Sequence, residues 1–452
     1  MKKSVLVVGA GVNGLVMSIL LARKGYAVRL VESSHEVGGQ FKGVKINEYI
    51  FDLGLYIPQL IGELEIDEIL REQDDIVLRE KQQKDIAGNI FRGNLNAESL
   101  FLDLRSDSSL AHEVFYQISE KYGLNNTSTN SANEYFYNRF GQRAYESVFK
   151  GLLQNAMGHD VDDYDSAALK IFHLTRLVLF DEKASSLLKG NSYFDERIAY
   201  PSQMEIDDKF LEEKTPSFYP RKYGLYRLIA SLVRQLDVLG VEVDLGVNVA
   251  KINLESKTIK SVSLNVRGVN EECEFDEIVW CANTYALDSL IGINMMPFTL
   301  VDPPIKQMVT YCIADKKPEV DNLYWLWDYD NNPVMRMSFP HNYSELPFSD
   351  GYLIVLEHGE AFKKDDVKKY FSESSIVNPS KIRKLETPSD AKRFFYRFTK
   401  KNIEIDRAFI SKLESREIDN LHLCSSKVSQ GIFYLHDLLS DGYKKLKKSG
   451  VI

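Results

Sequence analysis

Residues 4–32 read SVLVVGAGVNGLVMSILLARKGYAVRLVE, and the order of apolar runs, glycines and a terminal acid in this stretch decides the fold. Ser4 to Val8 is a short apolar run with the β-branched content of a buried parallel strand. Val12 to Lys24 has the length and composition of a helix, and Ala27 to Val31 reads as a second strand. Between them stands the spacing Gly9, Gly11, Gly14. Gly9 permits a tight strand-to-helix turn, Gly11 lets backbone approach a pyrophosphate, and Gly14 lets helix and sheet pack closely. The helix N-terminus then faces the phosphates, where free N–H groups and the macrodipole favour negative charge. Glu32 follows Gly14 by 18 residues, at the end of the second strand. A carboxylate there accepts hydrogen bonds from an adenosine ribose and repels a 2′-phosphate. The unit is expected to bind a dinucleotide, with NADP disfavoured.

Lys2 and Lys3 precede nineteen uncharged residues, Ser4 to Ala22, a pattern that imitates a signal peptide. Three glycines and Asn13 inside that stretch suit a strand-turn-helix and not a spanning helix, and no small-residue cleavage site follows. The expectation is a cytoplasmic protein without a membrane span. The 452 residues, 44% hydrophobic and 27% charged, are enough for two domains with large cores. The net charge of −9 argues against a nucleic-acid surface. Lys444, Lys445, Lys447 and Lys448 read as the solvated end of a last helix. Cys273, Cys281, Cys312 and Cys424 lack CxxC spacing, which suits free thiols and gives no metal signature.

After Glu32 comes SSHEVGGQ, in which Gly38 and Gly39 form a second glycine pair. Such a pair lets backbone pass close to a ribityl or pyrophosphate group. YIFDLG, Tyr49 to Gly54, then reads as a strand leading into a turn. In these features the chain resembles flavoproteins of the amine oxidase, protoporphyrinogen oxidase and UDP-galactopyranose mutase superfamily, most of all bacterial members associated with sugars. Four further segments carry the resemblance. Ser131 to Gly158 has a Ser131/Glu134 capping-box pattern and a Phe140-Gly141 break between helices. Phe218 to Ile252 begins FYPRKYGLYRLIASLVRQL, with a helix stripe of Leu225, Leu228, Ile229, Leu232, Val233 and Leu236, and ends in alternating strands. Phe275 to Ala286, FDEIVWCANTYA, reads as a strand rejoining the dinucleotide sheet, and Asp328 to Glu357 contains RMSFPHNYS.

The resemblance implies α/β and α+β architecture: a Rossmann-like FAD-binding domain interleaved with a substrate domain of helices and mixed sheet. The cofactor domain is expected at residues 1–55, 218–286 and 405–452. The substrate domain is expected at 56–217 and 287–404, with a helical segment near 131–180. It implies noncovalent FAD held at Gly9, Gly11, Gly14, Glu32, Gly38 and Gly39, with the backbone of Val249 against the adenine. The chain departs from the pattern after the strand Leu421 to Cys424, where Ser425 and Ser426 stand in place of the usual glycine-led motif. A serine hydroxyl there is expected to bond a ribityl hydroxyl or a phosphate oxygen, though a side chain at Ser425 limits how closely backbone approaches. A helix from near Tyr434 to Lys447 should follow, with Asp437 in its first turn.

A flavin carries its own redox chemistry, so catalytic residues leave little trace in a sequence. Arg336, in RMSFP, resembles a cavity-facing position where a guanidinium binds a carboxylate or phosphate bidentately; a structural ion pair is the alternative. Tyr56 follows the FDLG turn, where relatives place a residue near the flavin, and a packed aromatic is the alternative. Arg221 is a weaker anion-binding candidate, and His159 and His436 read as ordinary histidines. The expected partner is a small-molecule substrate, anionic or a nucleotide sugar. Three functions remain open: an FAD-dependent oxidoreductase on a small polar, amine or sugar-derived substrate, a redox-neutral isomerase similar to UDP-galactopyranose mutase, and a flavoprotein-like partner without activity.

Overall fold

The computed structural model describes residues 2–72, 76–78, 87–124, 129, 131–157, 161–171, 174–203, 216–295, 302–320, 322–330, 333–363, 366–374, 376–384 and 391–452. The chain divides into two compact units. One is Met1–Glu80, Glu213–Val301 and Ile403–Ile452, and the other is Lys81–Glu212 and Asp302–Asn402. The three segments expected to hold the cofactor lie in the first unit, which also takes in 56–80, 213–217, 287–301 and 403–404 of the expected substrate domain.

The first unit is built on β1 (Ser4–Val8), α1 (Val12–Arg23) and β2 (Ala27–Glu32). It continues through α2 (Tyr226–Leu239), β3 (Glu242–Leu245), β4 (Val247–Glu255), β5 (Glu277–Trp280), β6 (Leu421–Leu423) and α3 (Leu435–Lys448). The main sheet runs β3-β2-β1-β5-β6, with every pairing parallel. From β1 the chain travels outward through β2 to β3 on one side and through β5 to β6 on the other. The strand order therefore reverses between β1 and β5, the place where open parallel sheets hold ligands beyond their strand ends. Every residue of α1 from Val12 to Leu21 is buried, as expected of a helix that is apolar on all sides. The stripe of α2 is buried at Leu228, Ile229, Leu232 and Leu236, and Leu225 is buried just ahead of the helix. Val233 departs from the expectation at 37% exposed, since it sits at the margin of the stripe. Gly240 ends α2 in the left-handed region at φ 70°, a conformation glycine adopts without a Cβ penalty.

The second unit holds a mixed sheet of eight described strands. Ile305–Ala314, Tyr352–His358, Val334–Ser338 and Trp325–Asp328 pair antiparallel in that order, and Trp325–Asp328 pairs parallel with Ala87–Phe91. One face packs Leu326, Met337, Ile354, Leu356 and Cys312 against Val367, Tyr370 and Phe371 of the helix Asp366–Ser374. The helical segment begins with Ala132–Phe140, and Gly141 at φ 93° breaks it from the next turn. The capping box expected at Ser131 and Glu134 is not formed. The Ser131 hydroxyl bonds Asn133 Oδ1, and Glu134 accepts from Thr129, so neighbouring polar side chains take both groups. Among the described residues no helix is long and apolar enough to cross a membrane, and no group of His, Cys, Asp or Glu is placed to hold a metal ion. All four cysteines are free.

Candidate functional site: a glycine-lined cradle at the strand-order reversal

The three glycines of the opening turn serve three different constraints. Gly9 sits at φ +99°, and a Cβ there would lie 2.9 Å from the Ala282 nitrogen beyond β5. Gly14 faces the turn it follows: a Cβ would stand 1.8 Å from the Gly9 carbonyl oxygen, closer than any side chain tolerates. Gly11 is unlike both. Its backbone, at φ −67° and ψ 173°, is open to any residue, and a Cβ would meet nothing within 4 Å. Neither strain nor packing within the protein calls for glycine there.

Beside Gly11 lies the second glycine pair. Gly38 N–H donates to the Ala10 carbonyl at 2.7 Å, Gly11 and Gly38 form a parallel bridge, and a Cβ on Gly39 would stand 3.4 Å from Gly11 Cα. Gly38 and Gly39 both have positive φ. Two stretches 27 positions apart in sequence, Gly11 and Gly38, thus make one cradle without side chains. Glu32 borders it. Its Oε2 accepts from Ala10 N–H at 2.7 Å and its Oε1 from Ser34 N–H at 2.9 Å. These bonds fix the carboxylate and leave lone pairs for a further donor.

Val249 lies on β4, partly buried against the core formed by Val31 and Val247. Gly246 N–H donates to the Ser34 carbonyl at 2.9 Å, which brings the β3–β4 corner onto the segment that follows Glu32. Among the described strands β4 pairs on one edge only, and its register slips between Val249 and Lys251. The opposite edge of its backbone has no strand partner among the described residues.

Ser425 and Ser426 lie just beyond β6. The Thr284 hydroxyl donates to the Ser426 carbonyl at 2.9 Å and so accepts from Ser425 Oγ at 2.6 Å. Ser426 Oγ donates to the Ile432 carbonyl at 3.1 Å. Both hydroxyls thus donate to groups of the protein. Their lone pairs still suit a ribityl hydroxyl. The loop is pinned by Lys427, fully buried, whose Nζ donates to Asp441 at 2.6 Å, and burial brings this amine down to about 8. Helix α3 starts where expected, with Asp437 accepting from Tyr434 N–H at 3.1 Å.

Tyr56 donates to Gln40 and packs on Phe41 with ring centroids 5.1 Å apart, which sets it beside the Gly38-Gly39 turn. His436 stacks on Tyr434 at 5.6 Å and is half-buried. Arg221 is exposed, and His159 lies outside the described residues. Arg336 is in the other unit. Its Nε and Nη2 hold Glu357 at 2.7 to 3.1 Å, and its guanidinium lies 5.3 Å from the Trp327 ring centroid. Glu357 also accepts from Arg393. The bidentate partner of Arg336 is therefore a neighbouring-strand carboxylate, the structural ion pair weighed as its alternative.

Two features of the first unit were not picked out in the sequence. Asn13, in the first turn of α1, donates through Nδ2 to the Cys424 carbonyl and ties that helix to the end of β6, while its buried Oδ1 has no partner. An Asn just inside a helix start is a common polar residue there, so nothing in sequence sets it apart. Asp52 of FDLG is the second. It accepts from the Leu225 N–H ahead of α2 at 2.7 Å and from Tyr219, and its own N–H donates to the Tyr223 hydroxyl at 3.1 Å. Burial raises its carboxyl from 3.8 to about 6, against the two hydrogen bonds that favour the charged form.

Comparison with known proteins agrees with this geometry. Residues 7–63 match the family model described as an NAD(P)-binding Rossmann-like domain. The chain is 27% identical over 281 residues to the 1-hydroxycarotenoid 3,4-desaturase of Flavobacterium sp. (strain P99-3), covering 58% of this chain and 54% of that protein. It is 29% identical over 182 residues to protoporphyrinogen oxidase 2, chloroplastic/mitochondrial, of Arabidopsis thaliana, covering 37% and 34%. The chain spans about half the length, or less, of these curated relatives. Among solved structures, reduced UDP-galactopyranose mutase matches over 100% of this chain and 96% of its own, at 13% identity and a TM-score of 0.71. A putative protoporphyrinogen oxidase from Exiguobacterium sp. 255-15 covers 99% and 98% at 12% identity and a TM-score of 0.62. The chain shares its fold with these two solved structures. In this fold the cradle stands at the N-terminal βαβ unit and Arg336 in the mixed-sheet unit.

Two outcomes follow for the residues placed above. Because the folded-state value of Asp52 is raised, the stability it contributes is complete below pH 4 and is lost as pH rises through about 6. The gap corresponds to about 3 kcal/mol. The stability of Asp52→Asn relative to wild type should therefore increase by up to that amount between pH 4 and pH 7, read by urea unfolding across the range. Arg336→Ala should lower stability by about 1 to 3 kcal/mol, less than full loss of a buried pair because Arg393 still holds Glu357. Its thermal melting is the check, and an unchanged midpoint would make the Glu357 contact dispensable.

Proposed function

We propose that the protein binds FAD noncovalently and is an FAD-dependent oxidoreductase, acting on a small polar, amine or sugar-derived substrate. The observation that carries the cofactor reading is Gly11: a glycine whose Cβ position is open, at a helix N-terminus, beside a second glycine pair and a fixed carboxylate. The residues fit the group. Backbone N–H groups at the start of α1 would hold the pyrophosphate, with no Cβ at Gly11 or Gly39 to keep it away. Glu32 would take the adenosine ribose through the lone pairs that Ala10 and Ser34 leave, and the open edge of β4 at Val249 would lie along the adenine. The buried Asn13 Oδ1 and the lone pairs of Ser425 and Ser426 would accept from ribityl hydroxyls. When bound, the flavin supplies acceptance of a hydride at N5 from a C–N, C–O or C–C bond.

What supports oxidation over isomerisation is the sequence likeness to one protein named as a desaturase and one named as an oxidase. The likeness to UDP-galactopyranose mutase is one of fold. It keeps the redox-neutral reading as second and the inactive partner as third. Tyr56, beside the Gly38-Gly39 turn, is the nearest of the proposed catalytic side chains to the cradle along the chain. Arg336 is the other proposed catalytic side chain, and its bidentate hold on Glu357 counts against a direct contact with an anionic substrate. Anaerobic incubation of the FAD-loaded protein with candidate amines and nucleotide sugars separates the readings: bleaching of the flavin absorbance supports oxidation, and ring-contracted product formed only after prior reduction supports the isomerase.

The contrast between two glycines tests the cofactor site itself. Gly11→Ala should fold with stability within about 1 kcal/mol of the cofactor-free wild type yet lose most of its FAD, read by visible absorbance and mass spectrometry of the released ligand. Gly14→Ala should melt lower with or without FAD, because its Cβ collides with the Gly9 carbonyl. Full FAD occupancy in Gly11→Ala would place the ligand elsewhere.

A further inference from the structure

Arg197, just ahead of the short strand Ile198–Ala199 in the second unit, is 1% exposed. Its guanidinium lies 3.8 Å from the centroid of the Tyr193 ring. Nη1 donates to the Tyr193 carbonyl at 2.8 Å and lies 3.3 Å from the half-exposed carboxylate of Glu196. Nε and Nη2 are buried and have no hydrogen-bond partner. Those two nitrogens are not an arbitrary pair. They form one edge of the guanidinium, from which two N–H bonds point in parallel at the spacing of two oxygens of one carboxylate or phosphate.

A second guanidinium, that of Arg139, is near enough to act on Arg197 as a like charge. Arg139 donates to the carbonyls of Thr175 and Glu196 and lies over the Tyr135 ring at 5.6 Å. Its role is structural, since its N–H groups bind the starts of two paired strands. Arg197 differs, because its contacts to the fold use only Nη1 and the ring face. Burial, with the like charge of Arg139 behind it, pushes Arg197 below its ordinary value. A buried cation with two free donors is a costly element for a fold to keep, and replacing it by an apolar residue would remove that cost. An anion meeting the free edge satisfies both donors and the charge together.

We propose that the Nε–Nη2 edge of Arg197 is a binding site for a small oxyanion, a carboxylate or a phosphate, borne by a ligand of the second unit. The site is separate from the glycine cradle and does not rest on the flavin reading.

The test uses the FAD-loaded protein at constant ionic strength, with inorganic phosphate or acetate replacing chloride. The melting temperature of wild type should rise and saturate with at least one of the two anions, phosphate marking a phosphoryl ligand and acetate a carboxylate ligand. Arg197→Lys keeps the charge and loses the planar edge, and its affinity should fall roughly ten- to a hundredfold. No anion-specific response in wild type overturns the proposal, as does an equal response in Arg197→Lys. Should Arg197→Lys fail to fold, 31P line broadening of phosphate, and 13C broadening of acetate, by wild-type protein decide instead, and absence of both overturns it.

Discussion

The closest constraint in the first unit is the approach of Gly14 on α1 to the carbonyl oxygen of Gly9. No Cβ fits there, so the helix lies directly on the turn that launches it, and its N-terminal N–H groups emerge at the end of β1. That end is also where strand order reverses. Anchored by this contact, α1 is buried along its length and meets α3, whose Gly442 would bring a Cβ within 3.0 Å of Met17. A methyl group at either glycine pushes elements apart, and packed interiors absorb such shifts poorly.

From that anchor the cradle is assembled from distant pieces. Gly38 reaches the Ala10 carbonyl, Ala282 closes over Gly9, and Asn13 holds the end of β6. Each tie is a backbone or short-side-chain contact, so little of the site depends on rotamers. Asp52 and Lys427 show the opposite strategy. Both are buried ionisable groups that hold loops in place, one at the entry to α2 and one at the entry to α3, and burial opposes the charge of each. Such groups stabilise a specific geometry at a cost in net stability, unless their partners are complete.

The opening βαβ unit and its three glycines were legible because each residue there answers a local rule: a tight turn, a close approach, a helix start. The strand at β5 and the last helix with Asp437 were legible for the same reason. Ser131 and Glu134 fit a local rule and still failed to cap, because Asn133 and Thr129 lie nearer to the groups involved. Arg336 fits a recognition pattern, but whether a guanidinium meets substrate or Glu357 depends on which strand lies beside it. Strand pairing of that kind has no trace in the residues adjacent to Arg336.

The sequence by itself determined the dinucleotide unit, the identity of its glycines and acid, and the helix stripes, since these follow from periodicity and from what a Cβ can clear. Only the tertiary structure decided that Gly11 alone of the first three glycines is unconstrained by the protein, and that the Ser425 and Ser426 protons are already used. It also decided that Arg197 keeps a buried edge without a hydrogen-bond partner while Arg139 does not. These are questions of which partner reaches a group first. The answer depends on contacts between residues far apart in the chain, which local pattern does not encode.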